Sequence, residues 1–225
     1  MINIVKSTTV PSSLAIEKAK KSSENYRSQD VIFSIRDDFH NKCYICEDYA
    51  PSTINVEHFL PHRGNRDLMF DWTNLFYACG HCNNSKLAAY DNILNCTDKS
   101  HKVLDWIQFS INPYPKENVI ILPKNNDVKV LNTVELLLKI YNGEHTGLKT
   151  VEGENIRERL INEMVKFTNK LKKYNKPAIS IKDKEHYRKK IQEMLSIKSP
   201  FTAFKVWVVK GNSYLMKEFE EYLPQ

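Results

Sequence analysis

The sequence predicts an α+β protein in which a small core framed by cysteines lies among helices. Two C-x-x-C pairs, at 43–46 and 79–82, enclose short β-branched runs and loop residues. On both sides of this core, apolar residues recur at helical spacing. The 225 residues are 41% hydrophobic, which is enough for a packed interior. We therefore divide the chain into N-terminal helices at 1–42, the core at 43–95 and a mostly helical region at 96–225.

The N-terminal region is predicted to form two helices within residues 12–41. Apolar residues recur there at spacings of three and four, as on one face of a helix. Asp30 precedes the second apolar run, so we expect it to cap the second helix, which leads the chain to the first cysteine pair.

Three elements are predicted within the core. The run "TINV" at 53–56 alternates polar and apolar residues, which indicates a short strand. Residues 60–72 contain Pro, Gly, Asn and Asp without a clear period and are predicted to form a loop. The run "CNNSKLAAY" at 82–90 is predicted to be a helix with Asn83 or Asn84 near its N-cap.

The region after the core is predicted to be mostly helical, with one hairpin. Residues 118–131 hold two β-rich runs around "PKNND", which is typical of a hairpin. Asn132 or Thr133 is expected to cap the next helix, and Ser199 followed by Pro200 is a common helix start. The predicted helices of this region are 132–142, 154–173, 184–197 and 213–222.

The charge of the chain is uneven along its length. The net charge is +6, and the residues from Lys149 onward hold 17 Lys and Arg against 10 Asp and Glu. Residues 166–190 alone hold ten basic residues, with Asp183 and Glu185 as the acids. Such a segment can neutralise phosphates, and it can equally be a solvated helix face or contact an acidic partner.

The sequence gives no sign of a membrane or secretory segment. No stretch of eighteen apolar residues is present, so a membrane span is not expected. The start "MINIVKSTTVPSS" lacks a basic stretch followed by an apolar run, so we expect a cytoplasmic protein.

The cysteine spacing predicts a structural metal site. Cys43, Cys46, Cys79 and Cys82 form two short knuckles, each able to aim two thiolates at one ion. Four thiolates satisfy tetrahedral zinc and leave no open position, which is typical of a structural ion. An iron–sulfur cluster would use the same ligands. Cys96 is left over as a free thiol.

The residues between the cysteine pairs include a set suited to phosphodiester hydrolysis. That reaction needs an activated water and usually a divalent ion that neutralises developing charge. Glu57 and His58 follow the predicted strand, Asn74 precedes the second cysteine pair, and Asn83 opens the predicted helix. A neutral histidine is a good base near pH 7, and carboxylate and amide oxygens suit magnesium or manganese.

With this set, residues 43–90 resemble the HNH endonucleases, the ββα-metal nucleases. Their pattern is an acid–His pair on a first strand, a central Asn and a final His or Asn on a helix, often within zinc-binding cysteine pairs. "VEHFLPH", "TNLFYAC" and "CNNSK" match it in order and spacing, with Glu57 as the acid and Asn83 as the final residue. The resemblance implies a ββα-metal core held by Zn²⁺ and embedded in helices.

The resemblance also implies a role for each residue of the motif. His58 would activate the water, and Glu57 with Asn83 would bind a catalytic Mg²⁺ or Mn²⁺. Asn74 would fix the loop and orient His58, and Lys86 would lie near a phosphate. Adjacent side chains of a regular strand point to opposite faces, so the strand must end or twist at this acid–His pair.

Four further polar residues of the core have two readings each. His62 can bind metal or phosphate, or simply lie on the loop surface. Arg63 and Arg66 can contact the nucleic-acid backbone, or be exposed loop arginines. His81 lies between Cys79 and Cys82 and is expected to point away from them.

The flanking sequence is similar to the Septu and retron-associated PtuB-like branch of HNH nucleases. The likeness lies in "VEHFLPH", "FDWTNLFYACGHCNNSK", "INPY", "TVELLLKIYN" and "SPFTAF". It implies an anti-phage role and a PtuA-like ABC-type ATPase partner. The site itself leaves DNA and structured RNA such as tRNA open as substrates, because the chemistry at phosphorus is shared. This chain has no G-x-x-x-x-G-K-[ST] loop, so ATP would be bound by that partner.

Two alternatives use fewer of these residues. A non-catalytic zinc-ribbon module that binds nucleic acid or protein would need the cysteines and the basic helices, but not Glu57, His58 or Asn83. A pure adaptor would only hold an ATPase complex together and would tolerate substitution of His58.

Overall fold

A computed structural model describes residues 1–112, 117–143 and 146–224. The strands are β1 (Ile54–His58), β2 (Leu75–Cys79), β3 (Ile107–Asn112) and β4 (Asn118–Pro123). The helices of the first half are α1 (Ser12–Ala19), α2 (Gln29–Asp38), α3 (Arg66–Met69), α4 (Gly80–Lys86) and α5 (Val103–Trp106). Those of the second half are α6 (Val128–Asn142), α7 (Gly147–Tyr174), α8 (Ile181–Leu195), α9 (Thr202–Lys210) and α10 (Ser213–Phe219). None of the helices within the described ranges is long and apolar enough to cross a bilayer.

The core consists of a two-stranded antiparallel sheet followed at once by a helix. β1 pairs with β2 so that Val56 lies opposite Tyr77 and His58 opposite Leu75. Every residue of β2 is buried, and α4 begins where β2 ends and packs against both strands. The predicted loop at 60–72 is interrupted by the single turn α3.

The second sheet corrects the predicted hairpin at 118–131. β4 is one strand of it, but its partner is β3, which precedes it in the chain. Residues 128–131 instead begin α6, because the Asp127 side chain accepts a hydrogen bond from the Lys129 amide and caps the helix. Asn132 and Thr133 are therefore inside α6.

Three other predicted caps are also corrected. Ser28 is at the N-cap of α2, and Asp30 instead binds the Ser13 hydroxyl with an oxygen–oxygen distance of 2.6 Å. Cys79 caps α4 through its sulfur, so Asn83 and Asn84 lie within the helix.

The predicted start at Ser199 and Pro200 is likewise two residues early. α9 begins at Thr202 after Phe201, which has a φ of 50°. The Glu47 carboxylate accepts the first amides of this helix, so a distant side chain caps it in place of Ser199.

One hydrophobic cluster joins all three segments into which the sequence was divided. It includes Ile2 and Val31 from 1–42, Tyr77 from the core, and Leu137 and Phe204 from 96–225. The core is therefore packed against helices from both sides of the sequence.

Candidate functional site

The four paired cysteines form a buried cluster suited to zinc. Cys43, Cys46, Cys79 and Cys82 place their sulfur atoms within 4.8 Å of one another. The sulfur atoms of Cys46 and Cys79 are 3.9 Å apart. Zinc–sulfur bonds of about 2.3 Å in a tetrahedron put the sulfurs about 3.8 Å apart, so the cluster fits a Zn²⁺ ion. Cys96 is buried elsewhere and stays outside the cluster.

The electrostatics of the cluster favour one thiolate, at Cys43, whereas hydrogen bonding with Cys43 raises the pKa of Cys46 and burial raises the pKa of Cys82, both well above the usual value. Burial raises the pKa of Cys43, but hydrogen bonds from Cys46, Cys79 and Cys82 outweigh it and hold that pKa well below its usual value. The thiolate is the form that binds metal.

A buried ionic network supports the first cysteine knuckle. The Glu47 carboxylate pairs with the Met1 ammonium at 3.0 Å and with the Lys42 ammonium at 3.4 Å. It also accepts the amides of Thr202 and Ala203 at the start of α9. The knuckle is thereby fixed to both the N-terminal segment and the C-terminal helices.

His81 points away from the thiols, as expected from the sequence. Its Nδ1 is 2.7 Å from a carboxylate oxygen of Glu152 in α7, and its Nε2 is 2.9 Å from the Ile140 carbonyl oxygen in α6. His81 therefore fastens the second knuckle to these helices.

The predicted acid, histidine and amide meet at one open cavity. Glu57, His58 and Asn83 all line a cavity of about 380 Å³. Glu57 and His58 are neighbours in β1, but His58 is its last residue, so both side chains reach the same cavity. Asn83 directly follows the cluster residue Cys82 in α4, and β1 pairs with β2, which ends at the cluster residue Cys79.

The hydrogen bonding of His58 leaves one ring nitrogen free to act as a base. Its Nε2 is 3.0 Å from the Met69 carbonyl oxygen, which can only accept, so Nε2 carries the proton. Nδ1 then holds the lone pair of the neutral ring. Burial lowers the pKa of His58, the Met69 bond opposes this, and the charges of His62, Arg27 and Lys86 lower it further. His58 is consequently neutral at pH 7.

Lys86 is not positioned to contact a phosphate, contrary to the expectation from the resemblance. Its side chain is 0% exposed, and Nζ lies 2.9 Å from Glu57 Oε1. Nζ also donates to the carbonyl oxygens of Phe59 at 3.0 Å and His58 at 3.4 Å. These acceptors use all three of its donors, so Lys86 fixes the end of β1 from inside the protein.

Glu57 keeps one oxygen for another partner. Lys86 engages Oε1. Burial raises the pKa of Glu57, and the nearby ammonium of Lys86 lowers it in part. Glu57 and Asn83 line the same cavity as His58 and His62, and carboxylate and amide oxygens are common ligands of Mg²⁺ and Mn²⁺. Among the residues described, however, the four cysteines are the one group of three or more Cys, His, Asp or Glu close enough to hold an ion.

Asn74 ties together the two ends of the loop that follows β1. Its Oδ1 accepts the Leu60 amide at 2.7 Å, and its Nδ2 donates to the carbonyl oxygens of Leu60 at 2.9 Å and Leu68 at 3.1 Å. Leu68 precedes Met69, the residue that binds His58. This position agrees with a residue that fixes the loop and, through it, the histidine ring.

His62 and Arg63 lie on the open side of the cavity. The His62 ring centre is 4.6 Å from that of His58, and its Nδ1 accepts the Gly64 amide. Arg63 is exposed and pairs with Asp91 at 3.3 Å. Both can reach a ligand in the cavity, whereas a surface ion pair of this kind contributes little to stability.

Tyr26 and Arg27 also line the cavity and were missed from the sequence. The Tyr26 ring meets the His58 ring edge-on at 4.4 Å, and the Arg27 guanidinium lies 4.9 Å from the Tyr26 ring centre. They come from the connection between α1 and α2, far from the motif in sequence. No local pattern marks them, because only the packing of this connection brings them to His58.

Arg66 holds that connection in place and is not a surface arginine. Its guanidinium donates to the carbonyl oxygens of Ser23 at 2.7 Å, Lys18 at 2.8 Å and Lys20 at 2.9 Å. These hydrogen bonds occupy guanidinium N–H groups that Arg66 would otherwise use to bind a phosphate of the nucleic-acid backbone.

With this geometry in place, the sequence can be compared with known proteins. No protein-family profile matches the chain. The chain is 31% identical over 86 residues to the Septu protein PtuB of Bacillus thuringiensis. This is a distant likeness. The matched part covers 34% of this chain and 34% of that protein, so the chain spans about a third of the length of the curated relative it matches.

Proposed function

We propose that the chain is a metal-dependent HNH endonuclease that hydrolyses phosphodiester bonds in DNA or in structured RNA such as tRNA. The observation that carries this proposal is the shared cavity of Glu57, His58 and Asn83, beside a cysteine cluster that fits zinc. The likeness to a Septu PtuB supports a place in a Septu-type anti-phage system.

In this proposal each residue acts through the geometry described. His58 takes a proton from water at Nδ1 while the Met69 carbonyl holds Nε2. Glu57 and Asn83 hold a Mg²⁺ or Mn²⁺ ion, which supplies charge neutralisation at the phosphate when bound. Asn74 positions the loop, and the cysteine cluster fixes the junction of β2 with α4, the helix that carries Asn83.

We propose that another subunit of such a system binds ATP. The chain has no P-loop motif, so we propose a PtuA-like ABC-type ATPase as its partner. Cleavage is then controlled by the state of that partner, and both the isolated chain and the copurified complex need to be assayed.

Replacement of His58 tests the proposal. His58→Gln retains a donor for the Met69 carbonyl but removes the titratable nitrogen, and His58→Ala removes both. We expect both variants to lose cleavage of DNA and total RNA with Mg²⁺ or Mn²⁺, by two orders of magnitude or more. Zinc content and urea unfolding of His58→Gln should match the wild type. Cleavage by His58→Gln at the wild-type rate would contradict the assignment of the base.

The second candidate is a non-catalytic zinc module that binds nucleic acid or a protein partner. It is favoured by the pairing of Glu57 with Lys86, which places a positive charge where a catalytic cation is proposed. An adaptor of this kind shows no cleavage that EDTA abolishes, and His58→Ala leaves its phage protection intact.

A further inference from the structure

We infer that the helical hairpin at residues 166–190 binds the phosphate backbone of nucleic acid, at a site separate from the candidate cleavage cavity. This segment, here called the basic hairpin, comprises the last turns of α7, the connection to α8 and the first turns of α8. The inference depends on the proposed function only for the class of ligand, and it concerns binding and not cleavage.

The basic hairpin carries a large uncompensated charge. It holds nine lysines and one arginine against Asp183 and Glu185. Salt bridges in the described structure engage three of the ten: Lys166 with Glu163, Arg188 with Glu185 and Glu218, and Lys190 with Glu193. Seven lysines have no carboxylate within ion-pair distance in the described part of the chain: Lys170, Lys172, Lys173, Lys176, Lys182, Lys184 and Lys189.

These lysines lie on the outer surface of the hairpin. α7 and α8 pack against each other and bury residues such as Phe167, Leu171 and Ile191 between the helices and the rest of the protein. Lys172 and Lys176, one turn apart, are exposed. Five of the seven unpaired lysines are exposed and two, Lys170 and Lys184, are half-buried.

The composition of this surface favours nucleic acid over an acidic protein. Lysine is depleted in protein interfaces, which instead use aromatic and apolar anchors surrounded by polar residues. Ile181, 91% exposed, is the one large apolar side chain exposed within the hairpin, all of which is described. Contacts to phosphates need only flexible cations and carry no sequence information, which matches a lysine-rich surface.

The length of α7 separates the basic hairpin from the contact between α7 and α4. Glu152 in α7 contacts His81 in α4, the helix that also carries Asn83. From Glu152 to Lys173, α7 extends about 32 Å at 1.5 Å per residue. One turn of B-form DNA is about 34 Å. The hairpin therefore lies about one duplex turn along α7 from the contact between Glu152 and His81.

The test compares two triple variants of the full-length protein that remove the same charge. The hairpin variant is Lys172→Gln, Lys176→Gln and Lys182→Gln. The control variant is Lys99→Gln, Lys102→Gln and Lys129→Gln, whose side chains are also exposed. Binding to a 24-base-pair DNA duplex, its single strands and the corresponding RNA duplex is measured in EDTA from 50 to 300 mM salt, so that cleavage does not enter.

We expect the hairpin variant to bind at least one of these probes about tenfold more weakly than the wild type at 0.1 M salt. We also expect its slope of log affinity against log salt to be shallower by about 2.7 on duplex DNA, since each of the three lost phosphate contacts removes about 0.9. The control variant should change the slope by less than half as much. An equal effect of the two variants, or binding to none of the probes by the wild type, would overturn the inference.

Two further outcomes separate this inference from its alternatives. If the hairpin variant binds nucleic acid normally but no longer copurifies with its protein partner, the surface docks protein and the inference is wrong. If the wild type binds through the hairpin but cleaves nothing, the inference stands and the proposed nuclease function fails.

Discussion

Substitution of Lys86 discriminates between the role that the family resemblance implies and the role that the structure shows. Lys86→Met keeps most of the apolar volume but removes an ammonium that binds Glu57 Oε1 and two carbonyl oxygens. The carboxylate of Glu57, only 12% exposed, then has no cationic partner. Replacement of a lysine buried in this way should lower the free energy of unfolding more than it lowers the affinity for nucleic acid.

The size of the effect follows from these contacts. Removal of one member of a buried ion pair destabilises a protein by about 3–5 kcal/mol, because the other charge remains buried. For a chain of this length, each kcal/mol corresponds to about 2–4 °C, so the midpoint of thermal unfolding should fall by about 6–20 °C. Addition of Glu57→Gln should restore part of the loss, since a neutral amide is less costly to bury than a charge.

Equilibrium unfolding in urea measures this change, with Lys129→Met as an exposed control expected to stay within about 0.5 kcal/mol. Affinity for nucleic acid is measured in parallel on folded protein. A loss below about 1 kcal/mol for Lys86→Met, together with weaker nucleic-acid binding, would refute the structural role and favour a phosphate contact.

Three further predictions concern the metal cluster, the loop and the C-terminal helices. Cys82→Ser, or chelation of zinc, should unfold the core because residues 43–46 and the junction of β2 with α4 lose their common anchor; metal analysis should show one zinc per wild-type chain and near zero in the variant. Asn74→Ala should cost about 2–4 kcal/mol in urea unfolding, because three hydrogen bonds to the loop are lost; a change under about 0.5 kcal/mol would contradict this. The Tyr174 hydroxyl lowers the pKa of Glu218, so this stabilisation is complete above about pH 4.5 and is lost as pH falls through the lower folded pKa. Glu218→Gln should therefore weaken the fall in stability at acid pH, and an unchanged pH profile would contradict the prediction.

Sequence patterns were informative wherever the structure depends on neighbouring residues. The cysteine spacing predicted the buried cluster, and the apolar periodicity predicted α1, α2, α7, α8 and α10. A knuckle and a helix face are local, because their residues are brought together by a few backbone angles.

The errors arose where a distant partner decides the outcome. β4 pairs with β3 and not with the run that follows it, because Asp127 starts α6 at that point. Glu47 caps α9 from the other end of the chain. Lys86 was expected near a phosphate, but carbonyl oxygens and the Glu57 carboxylate take up its donors. Arg66 was expected either at the nucleic-acid backbone or exposed on the loop, and it instead binds carbonyl oxygens.

The candidate site also combines residues that local sequence patterns predicted with residues that only distant packing brings there. Its motif residues were visible in the sequence, whereas Tyr26 and Arg27 were not. They reach His58 through the packing of the connection between α1 and α2, which no spacing within the motif encodes.

Crystals of the full-length protein grown with Mn²⁺ test the central claim most directly, through anomalous scattering at the manganese and zinc edges. We expect zinc at the four cysteines and a separate manganese peak in the cavity, in contact with oxygens of Glu57 and Asn83. Zinc at the cysteines with no manganese between these two residues, at concentrations that support cleavage, would contradict the account.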